Sequence, residues 1–597
     1  MRIEYSLAGQ KLALSGQAGL FLSNRKGSYL ALGCPNRSHY EGFFHFDAHA
    51  WEPFKVLDDL VVDGVVDEVG REEGSCYRRR GDVRERFLLA SNALIYEVEG
   101  LNGKVYLDLD MRFVHDFSAW GRAYALERKE GVLVVRYARE GAYGGCLVIG
   151  SPDGPVDLAV MGEWQARDRD VDKARGSQTM EFVYRLGSVD VKGYRRLVFA
   201  FSRSDEKAVA KASAVLESFA AVRENVMRIP SRTLPSKDCI SNLAHLALDA
   251  LTVRVKGADP GILAGFPWFY QFYARDEAIS LRGQMVEGRY VLIKGILFKY
   301  LEAIGPDGRV PNRVPSADLG SADGIGWVCK RVEDFLLECK ARGIVQDLFT
   351  PLELAYLRDR LVAALDALVR CHVSGGLVWN APLETWMDTH GGFGDVRDGA
   401  CIEIQALTVA TLRTVKVLCK LTGSKEDRRF RSFEQELLEN VRSRFVQGDV
   451  LADRLRPEGS PDFTPRPNMF LAAYAAPELF GPRMWKVFFR KVLPELWLEW
   501  GGLASIGRRS TLFHAAYAGQ DNRSYHRGDS WYFMNNLAAF VLHRLDRYEF
   551  REYVERIRAA SVEDLLAQGW IGCSSEVSDA KARSARGCLA QAWSAAT

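Results

Sequence analysis

The sequence predicts a chain of two parts, an N-terminal antiparallel β-sandwich followed by an (α/α)6 barrel. Three observations lead there. The hydrophobic period changes near residue 239. Short β-type runs with turn signals fill the region before it, and roughly a dozen helix-length amphipathic runs fill the region after it. Periodicity alone supports a large all-α second domain; pairing a dozen helices as inner and outer rings goes one step further.

Residues 1–203 make up the β domain. Its strands are read at 12–14, Ser28–Leu32, Val105–Phe113, Gly131–Tyr137, Gly145–Ile149, Met180–Leu186 and Arg195–Phe201, with turns at Asn102-Gly103 and Asp153-Gly154. Residues 204–238 read as a helical linker. A helix from Asp205 to about Arg223 is followed by a break over Ile229–Pro235. The helical domain is 239–597. Its helices are expected at 239–256, 276–287, 289–304, 323–342, 351–373, 400–422, 428–446, 467–477, 481–496, 529–545, 549–569 and 587–596. In 351–373, for example, Leu354, Leu357, Leu361 and Leu365 recur at helical spacing.

With 597 residues the chain exceeds one ordinary core. The 79 basic residues nearly cancel the 77 acids, so charge gives no reason to expect nucleic acid or an anionic membrane as partner. A neutral polymer fits this balance without being selected by it. The start, MRIEYSLAGQ, lacks the apolar core of a signal peptide, and no run approaches the roughly 18–20 apolar residues of a membrane span, so a cytoplasmic protein is expected. The 11 cysteines include no C-x-x-C pair and read as buried free thiols; the 10 histidines show no metal-ligand spacing. No phosphate-binding glycine fingerprint lies in a strand–helix context. Neither a metal nor another cofactor is expected.

Chemistry is sought where carboxylates occur in aromatic, glycine-rich loops. Glycoside hydrolysis needs two carboxyl groups and a sugar-stacking surface. Seven segments qualify. Trp268 lies in an aromatic run that leads to Arg275-Asp276, a pair suited to gripping hydroxyls or, for Asp276, to capping a helix. Asn312 and Arg313 close a second loop. Glu384-Thr385-Trp386-Met387-Asp388, followed by Gly391-Gly392, joins acids to a tryptophan. Desolvation beside Trp386 is expected to raise Asp388 and suit it as general acid, with Glu384 nearly as eligible. Glu403, downstream of Arg397, falls in the first turn of a helix. Arg466 precedes another helix. Tyr525, His526 and Trp531 share a loop, in which His526 can donate to a hydroxyl. Glu576 lies among small residues where water can approach, which makes it the candidate general base. Gln591 and Trp593 follow it.

In this order the segments resemble the amylo-α-1,6-glucosidase family, which includes the C-terminal module of glycogen-debranching enzymes and shorter archaeal and bacterial relatives. The resemblance rests on Pro267-Trp268-Phe269 with Arg275-Asp276, Pro311-Asn312-Arg313, Thr385-Trp386-Met387-Asp388 and Glu403 with Ala406-Leu407. It continues through Arg466-Pro467-Asn468, Tyr525-His526-Arg527-Gly528 with Trp531, and Ser575-Glu576 with Gln591-Ala592-Trp593-Ser594. It spans about residues 240–597 and implies an (α/α)6 barrel that releases glucose from α-1,6 branch points with inversion. It implies Asp388 as acid and Glu576 as base, which inversion would set roughly 6.5–9.5 Å apart. Three positions depart from the pattern: Glu277 replaces the usual threonine, Val396-Arg397-Asp398-Gly399 replaces a Pro-Arg form, and Asp529 replaces an uncharged residue. The extra charges at Glu277 and Asp529 are expected beside the sugar. Competing readings are a glucoamylase-like or trehalase-like α-glucosidase on the same barrel, and a non-catalytic glucan-binding protein.

Overall fold

The computed structural model describes residues 3–6, 18–72, 74–228, 238–314, 320–390 and 396–597. The strand expected at 12–14, the break at 229–235 and Gly391-Gly392 lie outside the described residues. The chain divides into two compact units. The first comprises Met1–Ala258 with Leu565–Cys573, and the second Asp259–Asp564 with Ser574–Thr597.

In the first unit 14 strands form one antiparallel hydrogen-bonded network. Its continuity comes from two long strands, Leu94–Phe113 and Met180–Ser202, paired along most of their length. The short strands expected at Val105–Phe113, Met180–Leu186 and Arg195–Phe201 are therefore parts of longer ones. Asn102-Gly103 is not a turn. It lies inside the first long strand opposite Lys192 and Val191, so ladder pairing overrides the local turn preference. A register shift at Gly193/Tyr194 takes up the irregularity.

Alternation along these strands separates two cores. Leu94, Tyr96 and Val98 join Leu107, Leu109 and Phe199 on one face. Ile95, Val198 and Ala200 point the other way and meet Ala208, Ala212, Val215 and Phe219. These last four belong to the helices Asp205–Glu217 and Phe219–Met227. The segment expected as a linker thus packs on the sheet, because its alanine–valine stripe matches an apolar face. Among the described residues one acid cluster has metal-like spacing, Asp58, Asp110 and Glu181. Lys55 Nζ stands 2.8, 3.1 and 3.6 Å from these three acids, and Arg112 and Arg169 add further pairing. The cluster is neutralised by protein cations.

The second unit is mainly helical. Eleven of the twelve expected helices fall in it, within about five residues at each end: Ala274–Val286, Tyr290–Glu302, Gly324–Arg342, Pro351–His372, Ile402–Thr422, Arg431–Arg444, Asn468–Ala475, Pro482–Leu496, Tyr532–Asp546, Arg551–Ala567 and Ala592–Ala596; the one expected at 239–256 is Cys239–Leu251 and lies in the first unit. Thr350 and Glu353 close a capping box at the start of Pro351–His372. Six helices touch in a closed cycle. Ala274–Val286 packs on Gly324–Arg342, which packs on Ile402–Thr422. Asn468–Ala475, Tyr532–Asp546 and Ala592–Ala596 follow, and the last returns to the first. Burial separates ring members from the helices between them. Ile402 to Leu412 is buried without a break, whereas Arg431–Arg444 buries only Leu437 and Val441. No described helix is long and apolar enough to cross a membrane. The 11 cysteines are free thiols; Cys239 and Cys371 are exposed, contrary to the expectation of burial.

Candidate active site

Five of the six ring helices start at a chemistry-bearing segment, and the sixth, Gly324–Arg342, starts after Asp323. Arg275 and Asp276 lie in the first turn of Ala274–Val286, Asp323 precedes Gly324–Arg342, and Glu403 opens Ile402–Thr422. Asn468, Trp531 and Gln591 stand at the starts of the other three. Two-residue ladders tie these entries together. Gly265-Phe266 pairs with Ala590-Gln591, Phe272-Tyr273 with Arg313-Val314, and Ser530-Trp531 with Val577-Ser578. Helix N-termini carry partial positive charge, so this end of the ring favours carboxylates.

Three acids share the site: Asp276, Asp388 and Glu576. Asp276 is 6% exposed and accepts from Gln591 Nε2 at 3.3 Å. Burial pushes its carboxyl up to about 8; the Arg275 charge opposes this, and the negative charges of Glu576 and Asp388 reinforce it. One carboxyl therefore feels both candidate catalytic acids. The helix that Asp276 was expected to cap has Tyr273 at its N-cap instead, which leaves Asp276 within the first turn.

Asp388 retains about a third of its side-chain surface, 35%. Arg275 Nη1 is 3.3 Å away and His526 Nε2 is 3.5 Å away. Burial raises the Asp388 carboxyl, but His526 and the Arg275 charge together outweigh it and hold it below the ordinary aspartate value. The expected upward shift beside Trp386 does not occur, because a guanidinium and an imidazole reach the carboxylate first. Arg275 is itself fixed by a bidentate pair with Asp323, at 2.7 and 3.0 Å. Glu384 takes no part. It accepts from Arg309 Nη1 at 2.9 Å and from the Ala381 amide at 2.7 Å.

Glu576 is 1% exposed and is gripped on both oxygens. The Tyr525 hydroxyl donates to Oε1, and the Cys588 amide donates to Oε2 at 2.9 Å. Gly587 makes the second contact possible. Its φ is +66°, and a Cβ there would come within 2.2 Å of Glu576 Oε2. Behind this segment the Ser575 amide donates to Asp564 at 2.7 Å. Burial raises Asp564 to about 7.

One loop reaches both catalytic candidates, with Tyr525 on Glu576 and His526 beside Asp388. It is held from several sides. Arg466 Nη1 donates to the His526 carbonyl at 3.0 Å, Arg527 Nη2 to the Thr389 carbonyl at 2.9 Å, and Gly528 N to Ser505 Oγ at 2.9 Å. Burial lowers His526 to about 4, so it is neutral near pH 7.

Several expected sugar contacts are placed elsewhere. Trp386 is 1% exposed. Its Nε1 donates to Asn468 Oδ1 at 2.6 Å, and its ring meets His526, Trp531 and Phe533 edge-on. Trp531 stacks on His526 at 4.9 Å, and Trp593 stacks on Phe533 at 4.2 Å. Trp386, Trp531 and Trp593 thus form a buried aromatic floor instead of an open stacking wall. Glu403 is enclosed, with both oxygens taken by Arg397, which also holds Asp453 at 2.9 Å and Thr385 Oγ1 at 3.2 Å. It supports the Thr385 loop instead of meeting a sugar. Glu277 is fully enclosed and accepts from Ile262 N at 2.8 Å, Lys299 at 2.6 Å and the Tyr300 hydroxyl. The acid that replaces the family's threonine is therefore a buried structural anchor. Asp529 is also enclosed. It accepts from Ser524 Oγ at 2.8 Å, and burial raises it to about 8.

Of the remaining candidates, Trp268 is half-buried at the tip of the hairpin that pairs with Gln591. Asn312 is buried and accepts from the Ala274 amide through its carbonyl at 3.0 Å; Arg313 lies over the Tyr273 ring at 5.6 Å. Residues not selected from sequence include Asp323, Asp453 and Asp564. Asp323 and Asp453 act through partners remote in sequence, 48 and 56 residues away, and Asp564 through the Ser575 amide; only Asp323, in Ser321-Ala322-Asp323-Gly324, carried a helix-start signal.

The family model described as amylo-alpha-1,6-glucosidase (GDE_C) matches residues 245–597. Among solved structures, a bacterial glucoamylase complexed with acarbose is similar over 100% of this chain and 96% of its own, with TM-score 0.64 and 10% identity, and shares the fold. A GH63 mannosylglycerate hydrolase from Thermus thermophilus, in complex with glucose, is similar over 60% of this chain and 98% of its own, with TM-score 0.46 and 15% identity. No curated protein matches the chain in sequence.

Proposed function

We propose that this chain, which belongs to the amylo-alpha-1,6-glucosidase family and is thereby a glycoside hydrolase, releases glucose from α-1,6 branch points of a glycogen-like glucan with inversion. In this reading the closed helix cycle is the inner layer of an (α/α)6 barrel. The observation that carries the proposal is the bridging of Asp388 and Glu576 by one loop, with Tyr525 on Glu576 and His526 beside Asp388, and Arg275 of the Arg275-Asp276 pair 3.3 Å from Asp388. Asp388 protonates the glycosidic oxygen. Glu576, steered by Tyr525 and the Cys588 amide, takes a proton from the attacking water, whose oxygen bonds to the anomeric carbon from the opposite face.

Asp388 is ionised in the free site and must gain its proton as substrate binds. Asp276, which keeps a proton near neutral pH, is a candidate source. A second reading follows from that observation: Asp276 itself protonates the leaving oxygen. The two readings diverge for Asp388→Asn, as set out in the Discussion.

The linkage is tested by incubating the protein with panose, isomaltose, maltose, trehalose and a phosphorylase limit dextrin and measuring glucose. Release from the limit dextrin and panose, with little from maltose or trehalose, is expected. Release from maltose alone would overturn the branch-point reading.

Asp276 also fixes a pH dependence of stability. Its folded value of about 8 lies above the ordinary aspartate value of about 3.9, so the folded state binds the extra proton between these limits. Stability is therefore greatest below that window and falls as pH rises through it, by up to about 1.4 kcal/mol per pH unit. Asp276→Asn is expected to flatten the decline in Tm between pH 5 and 8 relative to wild type. An unchanged slope would show that Asp276 does not titrate there.

A further inference from the structure

We infer that the first unit carries a separate glucan-binding face on its sheet, resting on the proposed reading that the substrate is a glucan. The strand Leu158–Asp168 pairs with the start of Met180–Ser202, and Trp164 stands opposite Tyr184. Alternation puts Met180, Phe182 and Tyr184 on one face of their strand, with Glu181 and Val183 turned into the protein. On a face with a buried role, Met180 and Phe182 would be covered. They are 56% and 39% exposed, and Trp164 is 44% exposed. So many large apolar side chains on one sheet face mark a contact surface.

The chemistry of the face selects the occupant. The exposed Trp164 is backed by rings anchored on the core: it lies 5.1 Å from Tyr184, which stacks on Tyr124 at 4.4 Å. The Arg122 guanidinium sits 5.1 Å from the Trp164 ring, which fixes that ring at little entropic cost on binding. Beside Phe182 and Met180 lies a hollow of about 180 Å³ that Arg122 and the exposed Gln178 also line. Arg122 is tied down by Asp110 at 2.7 Å, so the face offers aromatic planes, a fixed guanidinium and amide hydrogen bonding. Pyranose rings need that combination, with C–H faces for the rings and amphiprotic hydroxyls for the amide. Strand addition by a second copy is disfavoured. The edge strand has a register irregularity between Val160 and Glu163 and carries Glu163, Arg167 and Asp168, features that block edge pairing.

The test is native electrophoresis of the full chain through gels with and without glycogen, with 10 mM 1-deoxynojirimycin present to occupy the hydrolytic site. Wild type is expected to be retarded. Trp164→Ala/Phe182→Ala, exposed positions whose loss leaves Tm within about 2 °C, is expected to bind glycogen at least fivefold more weakly and to release glucose from panose within twofold of wild type. Equal retardation of variant and wild type would overturn the proposal, as would no retardation of either. A variant that changes sedimentation but not glycogen retardation would reassign the face to protein contact. Because retardation needs no turnover, failure here is distinct from failure of the proposed hydrolysis.

Discussion

Replacing Glu576 with Gln is expected to lower kcat on a limit dextrin by about 10³-fold or more, with folding intact, because the amide cannot accept a proton from water. The isostere keeps a carbonyl oxygen for Tyr525 or Cys588, so the contacts around it survive in large part. Asp388→Asn is expected to be equally damaging on natural substrates. The two variants separate on α-glucosyl fluoride, whose leaving group needs no protonation. Asp388→Asn should recover much of its rate there, and Glu576→Gln should not. If Asp388→Asn hydrolyses panose at near wild-type rate while Asp276→Asn does not, the proton comes from Asp276, and the second reading replaces the first. Arg275 remains paired with Asp323 in the Asp388 variant, so circular dichroism and Tm should change little.

The second large effect is expected at a residue with no functional group. Gly587→Ala places a Cβ 2.2 Å from Glu576 Oε2 at a φ of +66°. Either the carboxylate moves or the turn does, and both disturb the Cys588 amide contact. A displacement of about 1 Å at a catalytic group costs on the order of 10²-fold in rate. The expected result is a kcat loss of about that size, with a stability loss of about 1–2 kcal/mol from the left-handed backbone. Kinetics and chemical denaturation on the same preparation check both. A lowered Tm with unchanged kcat would mean that the exact seat of Glu576 is not limiting.

Much of this architecture is legible in the sequence, for physical reasons that differ by element. Helix-length apolar periods such as Leu357, Leu361 and Leu365 report burial directly, and the helices of the second unit lie where they place them. The chemistry-bearing segments were legible because each precedes a helix, where aromatic and charged residues interrupt the period. What escaped was set by residues far away in sequence. Trp386 reads as a stacking surface until Asn468, 82 residues on, takes its N–H and three rings close round it. Asp388 reads as a desolvated acid until Arg275, 113 residues earlier, reaches it. Glu277 looks like a foreign charge near sugar, yet Lys299 and Tyr300 from the next helix absorb it. In the first unit, pairing with Met180–Ser202 draws Asn102-Gly103 straight, against its own turn preference.

The removal of the Glu277 carboxylate from the site bears on linkage. Its charge, with that of Asp529, is what the sequence sets beside the sugar, where linkage is read. With Glu277 committed to Lys299, Tyr300 and the Ile262 amide, its charge is answered by protein groups and not left for the sugar.

Proton NMR of the first glucose released from a limit dextrin bears most directly on the central proposal. With Glu576 activating water on the face opposite the leaving group, β-glucose is expected first, followed by slow mutarotation to the α form. Initial α-glucose would contradict the assigned roles of Asp388 and Glu576, and absence of any glucose would contradict the hydrolysis of branch points itself.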